Sequence, residues 1–304
     1  VDPQLTLAIS TGLIGTRLPV DRVRDALAPL VAGLSATDEA LAALAEQMCT
    51  TDSRPKSASL HLELPDDRGG LRPVTLSGIA KGVGMIHPRM ATMLALLLID
   101  APVEPENLYS LLLPAVERTW NQLTVDSDTS TNDTVLLLAS GASGTAPLRL
   151  GSDEAQSVGR ALHAVARSLA RQQAADGEGA TTLITCQVSG ARDDGDARAV
   201  ARRVVASSLV KAAVHGRDPN WGRIAAAAGN AEVTFDAARL RISLGGVDVF
   251  AGQPLAFDAA ALSNRMDAPE VLIRLDLGVG QSSGEAFGCD LSEQYVVENS
   301  AYST

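Results

Sequence analysis

In the stretch GMIHPRMATMLALLLID, residues 84–100, a hydroxyl side chain stands where a Gly/Pro-marked loop meets a solid apolar run. A Thr at such a border commonly begins a buried element, with its hydroxyl satisfied by a nearby backbone group. The sharper reading makes Thr92 a nucleophile, and that reading needs partners elsewhere in the chain. No convincing triad offers itself. His61, His87, His163 and His215 are scattered without HExxH or paired-ligand spacing, so each reads as structural or surface, and no metal site is indicated. Cys49, Cys186 and Cys289 are odd in number, widely spaced and without a CxxC pair, which suggests neither a disulfide framework nor zinc.

Positive charge is carried overwhelmingly by Arg, and Lys occurs only at Lys56, Lys81 and Lys211. An ammonium is a compact charge that meets one carboxylate at close quarters and whose pKa responds to its surroundings, as a guanidinium's does not. Chance survival is the plainer account of any one of the three. Two polar strings stand between apolar segments: DSDTSTNDT at 126–134 and HGRDPNWGR at 215–223. Such strings are usually solvated loops. The first also suggests a metal or phosphate cradle, but it lacks the glycine-rich turn and Lys of a P-loop.

The elements that must position these residues alternate in type. Val20–Leu34 and Ala36–Met48 read as helices, the second opened by Ser35-x-x-Asp38. Leu60, Leu62 and Leu64 alternate with polar residues, and PDDRGG turns the chain into Leu71–Ile79, a hairpin. Glu104–Leu123 reads as a helix broken or bent near Pro114. In Asp153–Arg171 the residues Ala155, Val158, Leu162, Val165 and Leu169 fall on one helical face. Asp176-Gly177-Glu178-Gly179 ends that helix, Thr182–Val188 follows as a strand, and then come a helix at Ala197–Ala206 and paired strands around Val233 and Leu240–Leu244. This mixed order predicts α/β layers.

At 304 residues, 46% hydrophobic and 20% charged, the chain can bury one large core or two modest ones and reads as soluble and globular. Met93–Ile99 is far shorter than the roughly 20 residues of a membrane span. A net charge of -11 offers no basic face for nucleic acid. The cysteine usage fits a reducing cytoplasm.

KGVGMIHPRMATML, DSDTSTNDTVLLLASG, DPNWGRIAAAAG and VENSAYST, with STGLIG at 10–15 and CTTDSRPK at 49–56, together resemble the ornithine acetyltransferase family. These arginine-biosynthesis enzymes are also called glutamate N-acetyltransferases. The resemblance covers essentially the whole chain. It implies a precursor cut between Ala91 and Thr92, so that 1–91 is the remainder of an α-subunit part and 92–304 a β-subunit part. Once freed, the Thr92 α-amine would activate its own hydroxyl, an arrangement that needs no His or Cys. The resemblance also implies an oxyanion hole from the Thr11 hydroxyl and the Gly12 N–H. Thr50, Lys81, Thr92, Glu178, Asn299 and Thr304 would bind substrate. The implied fold is a four-layer αββα sandwich with a smaller α/β lobe. The implied reaction moves acetyl from N2-acetyl-L-ornithine to L-glutamate in ping-pong fashion through acetyl-Thr92. It needs no cofactor, acetyl-CoA serves some relatives as an alternative donor, and the assembly is an α2β2 heterotetramer. Substrate α-carboxylates suit Lys81, Thr50 and Asn299, and ornithine's ammonium suits Glu178.

Two departures accompany the resemblance. Family precursors carry further sequence before STGLIG, including an Asn-Ser-Gly-rich segment not found here, so a layer of the fold is expected to be missing. Thr182 stands where the family often has Lys, which bears on charge pairing near Glu178. Two other classes use the same residues differently. One is an N-terminal-nucleophile amidohydrolase or aminopeptidase that passes the acyl group to water, and the other is an unprocessed, non-catalytic paralogue.

Overall fold

The computed structural model of the chain describes residues 6–88 and 93–301. The apolar run after the loop is strand β3 (Leu94–Ile99), with Leu94, Ala95, Leu97 and Ile99 buried. It lies in a four-stranded sheet of order β1-β2-β3-β4, between β2 (Leu71–Lys81) and β4 (Thr134–Ala139), with β1 (Lys56–Pro65) at the edge. The β1–β2 and β2–β3 pairs are antiparallel and β3–β4 is parallel. The register pairs Lys56 with Ala80, Lys81 with Leu94, and Leu94 with Thr134. One end of this sheet therefore collects two of the three lysines and both ends of the 82–93 connection.

The sheet is covered by α3 (Pro105–Arg118) and α4 (Asp153–Ala175). Ser152 caps α4 by accepting from the Ala155 amide, and the stripe Ala155, Val158, Leu162, Val165 and Leu169 is buried in the first core with Leu76, Leu97, Trp120 and Phe287. Each Val, Leu or Phe among them contributes about 1.5–3 kcal/mol by leaving water. A second sheet, β7-β6-β8-β5-β9, is built from β5 (Leu183–Ala191), β6 (Arg241–Leu244), β7 (Val247–Ala251), β8 (Glu270–Asp276) and β9 (Ser282–Cys289). It carries the smaller core with α5 (Asp194–Val205), α6 (Ser208–His215), α7 (Trp221–Gly229) and α8 (Ala259–Met266). α4 touches β1 and β2 of the first sheet and β5 and β9 of the second, which joins the two units. The fold is α/β with two sheets, as expected for the αββα sandwich.

Three local readings change. The cap of α2 (Asp38–Met48) is Thr37, whose extended backbone lets its hydroxyl accept from the Ala40 amide, so Ser35 lies outside the helix. α3 passes through Pro114 and ends at Thr119, after which Trp120–Gln122 make one 3-10 turn. Val233 lies outside any strand, because β6 pairs with β7 across Gly245-Gly246. Both glycines have positive φ, 55° and 82°, the backbone that a two-residue hairpin demands. The N-terminal helix α1 (Val20–Ala32) buries none of its residues and leaves Leu30 and Val31 64% and 66% exposed. Among the described residues no helix is long and apolar enough to cross a membrane.

Candidate active site

Lys81 ends β2 and is 3% exposed. Its position is fixed from behind by Gln173 of α4, fully buried, which accepts from Trp120 Nε1 at 2.8 Å and donates to the Lys81 carbonyl at 2.9 Å. In front, Lys81 Nζ donates to Thr11 Oγ1 at 2.7 Å and to Thr50 Oγ1 at 3.4 Å. Because Thr11 receives that bond on oxygen, its own O–H remains free to donate elsewhere. Burial lowers the Lys81 pKa from the ordinary lysine range, against the pull of Asp52, Cys49 and Asp133.

Glu178 sits in the loop between α4 and β5, tied by its amide to the Val83 carbonyl at 2.9 Å. Its carboxylate accepts from Thr51 Oγ1 and from Asn299 Nδ2, each at 3.0 Å. Asn299 belongs to α9 (Glu293–Ala301), so the C-terminal helix is drawn to the same place. Among the described residues Glu178 makes no ion pair, which leaves a half-buried carboxylate able to receive a cation. Thr182 is not involved: its amide donates to Asp290, at 2.9 Å. Gly84 comes so close that a β-carbon there would stand 2.2 Å from a Glu178 carboxylate oxygen.

These groups line one cleft of about 810 Å³, together with Gly12, Gly82, Ser130, Thr131 and Asn132. Six of the expected site residues thus come together: Thr11, Gly12, Thr50, Lys81, Glu178 and Asn299. Thr92 and Thr304, and Ala91 before the expected cut, lie outside the described residues. The residues flanking 89–92 are held on both sides. Arg202 donates to the Pro88 carbonyl at 2.8 Å, the Met93 amide donates to the Asp133 carboxylate, and Thr134 N donates to the Met93 carbonyl at 2.8 Å.

The polar string at 126–134 has two jobs. Asp126 accepts from the amides of Met85 and Ile86 at 2.6 and 3.0 Å and so shapes the loop before the 89–92 segment, although burial pushes its carboxyl upward. Ser130–Asn132 face the cleft, and Asn132 Nδ2 docks the Ser10 carbonyl at 3.0 Å, holding the Ser-Thr-Gly segment in place. The DPNWGR string does not line the cleft. Thr51 and Gly84 were missed as site residues, although both sit inside motifs, beside Thr50 and between Lys81 and the loop. No group of His, Cys, Asp or Glu able to hold a metal is present among the described residues.

Fold and cleft together define an α/β protein with a pocket for a small molecule, an ammonium at one pole and a carboxylate at the other. The chain belongs to the ArgJ family, whose model matches residues 1–304. It is 46% identical over 314 residues to the arginine biosynthesis bifunctional protein ArgJ of Synechocystis sp., covering 100% of this chain and 74% of that one. The protein of the same name from Thermus thermophilus is 46% identical over 304 residues, with the same two coverages. The crystal structure of arginine biosynthesis bifunctional protein argJ from Bacillus halodurans matches with a TM-score of 0.67 and 36% identity, over 69% of this chain and 100% of the solved one.

Proposed function

We propose that this chain cuts itself between Ala91 and Thr92 and then transfers acetyl from N2-acetyl-L-ornithine to L-glutamate through acetyl-Thr92. Membership of the ArgJ family makes it an ornithine acetyltransferase, or glutamate N-acetyltransferase, of arginine biosynthesis. The observation that carries the finer reading is the single cleft. It joins the Ser-Thr-Gly segment, Lys81 and Glu178 to the 130–132 loop, next to Asp133, which holds the residue following Thr92.

In the first step the Thr92 hydroxyl attacks the Ala91 carbonyl carbon, the peptide C–N bond breaks as an ester forms, and water then hydrolyses that ester. Thr92 is left with a free α-amine beside its hydroxyl. That amine takes the hydroxyl proton as Thr92 attacks the acetyl carbonyl of N-acetylornithine, and the leaving nitrogen departs protonated as ornithine's α-amine. Thr11 O–H and Gly12 N–H donate to the oxyanion, an effect worth about 2.7–4 kcal/mol per donor. Lys81 receives the substrate α-carboxylate with Thr50 beside it. Glu178, oriented by Thr51 and Asn299, receives ornithine's side-chain ammonium. Glutamate then enters the vacated place and its α-amine takes the acetyl group. Among the described residues no histidine lines the cleft, which supports the amine as base.

The reaction itself calls for no cofactor, and acetyl-CoA acts as an alternative acetyl donor for the second activity that the relatives' bifunctional name implies. The α and β parts, 1–91 and 92–304, stay together as an α2β2 heterotetramer in the cytoplasm; the exposed apolar face of α1 is a surface of the kind such contacts cover. Self-cleavage is tested by the Thr92→Ala variant. The wild-type chain should give two fragments, the second starting at Thr92, and the variant should stay whole. Normal cleavage of the variant would refute the nucleophile assignment.

A further inference from the structure

We propose that Asp52 is a positioning residue for the carboxylate-binding Lys81, the free end of a buried charge relay that runs from Asp176 through Lys56 to Asp52 and balances Lys81. The proposal rests on the reading that Lys81 receives the substrate carboxylate.

The cluster is unusual in its burial. Lys56 is 0% exposed, and its Nζ lies 2.6 Å from Asp52 Oδ1 and 2.6 Å from Asp176 Oδ2, with a third bond of 3.0 Å to the Arg54 carbonyl. The ammonium's three donors are all used. Asp52 spends its remaining capacity on the cleft: Oδ1 accepts from the Gly82 amide at 2.9 Å and Oδ2 from the Thr50 amide at 3.2 Å. It therefore grips the residue after Lys81 and one of the two hydroxyl partners of Lys81. Asp176 accepts from the Ser53 amide at 3.1 Å and from the Ser53 hydroxyl, and it lies two residues before Glu178. Both poles of the cleft are thus fastened to one ion cluster.

The charges give the cluster a second role. Two carboxylates against one ammonium leave a net single negative charge, and the nearly buried Lys81 supplies the positive charge that cancels it. A buried cation without a counter-charge loses its proton at lower pH, and an opposite charge nearby restores it. Among the groups acting on Lys81, Asp52 is the strongest opponent of desolvation; Cys49 and Asp133 follow. The Cys49 thiol is itself pushed upward by burial and by Asp52, and Asp133 is engaged by the Met93 amide. Asp52 is the partner that ties geometry and charge together.

The test is the pH dependence of KM for N-acetylornithine in the full chain, for wild type, Asp52→Asn, Lys56→Met and Lys81→Met, with folding followed by circular dichroism. Asp52→Asn keeps an acceptor for Gly82 and Lys56 but removes the charge. The alkaline loss of affinity should move to lower pH by about one unit or more, with kcat changed far less than KM. Lys56→Met strips the ammonium from between two carboxylates, so that limb should stay or move upward. A merely structural role would weaken both variants alike at every pH, with the limb unmoved in Asp52→Asn, and would overturn the proposal. If Asp52→Asn does not fold, Asp52→Glu replaces it: the charge is kept on a longer side chain, so the limb should stay near its wild-type pH while KM rises, and a limb displaced to lower pH would overturn the proposal. Lys81→Met separates the two levels of inference. Unchanged KM in that variant would defeat the carboxylate-binding reading itself, whereas a lost affinity there with an unmoved limb in Asp52→Asn would defeat only the relay.

Discussion

The two poles of the cleft are built in opposite ways. Lys81 ends a central strand, almost fully buried, with its backbone pinned by Gln173 and its ammonium by two hydroxyls. Glu178 sits on a loop, half-buried, and is oriented by a neighbouring loop and by a helix near the C-terminus. On the proposed reading the strand-end pole takes the group shared by both substrates, the α-carboxylate, and the loop pole takes the group that only ornithine carries. A transfer through one pocket needs that division, because donor and acceptor must seat the same end identically while differing at the other.

The comparison breaks first at the rigid pole. Lys81→Ala should weaken N-acetylornithine and glutamate together, by about 1.5–3 kcal/mol each as a lost charged hydrogen bond, roughly ten- to a hundredfold in kcat/KM. Steady-state kinetics on each half-reaction checks this. A loss confined to one substrate would contradict the shared seat. Glu178→Gln should cost the ornithine half about tenfold and leave the glutamate half within about twofold, since only a neutralised partner for an ammonium is lost. Equal losses in both halves would end the assignment of poles.

A milder change tests whether the loop pole depends on its anchor. Fully buried Asp290 accepts from the Thr181 and Thr182 amides at 2.8 and 2.9 Å and contacts His215 Nδ1 at 2.8 Å, so it latches the loop that carries Glu178. Burial works to raise its pKa, but the Thr181 hydroxyl, His215 and the two amides outweigh it, and the net shift is downward. A carboxyl held low in the folded state contributes stability above its unfolded pKa and loses it as pH falls through the folded value. Asp290→Asn should therefore be less stable than wild type at neutral pH, by about 1–3 kcal/mol in urea unfolding. The gap should narrow at pH values below the ordinary carboxylate range. A pH-independent gap would show that shape, not charge, holds the loop. Smallest of all, Asn299→Ala should cost a few-fold in the ornithine half alone, the value of one hydrogen bond on Glu178.

The sequence made some of this legible and hid the rest for physical reasons. The unbroken apolar run Met93–Ile99 and the periodic patterns of the β1–β2 hairpin and the α4 stripe match the elements found, and those elements were readable. The cap at Thr37 was not, because three capping residue types within four positions, Ser35, Thr37 and Asp38, compete and only the backbone decides among them. The β6–β7 hairpin was overlooked although Gly245-Gly246 between β-rich runs is a direct signal of it. In the site, Thr11, Gly12, Thr50, Lys81, Glu178 and Asn299 were legible as motif positions and do share the cleft. Thr51, Gly84 and Asp52 were not, because orienting a carboxylate, leaving room for one and balancing a buried ammonium are pair properties that no single residue displays.

The central claim, an acetyl group carried on Thr92, is tested most directly by intact mass. The purified, cleaved protein is incubated with N-acetylornithine, without glutamate, and quenched in acid. The account predicts that only the fragment beginning at Thr92 gains the mass of one acetyl group, and that adding glutamate removes it. An unchanged fragment during demonstrated turnover, or an acetyl group mapped to another residue, would contradict it.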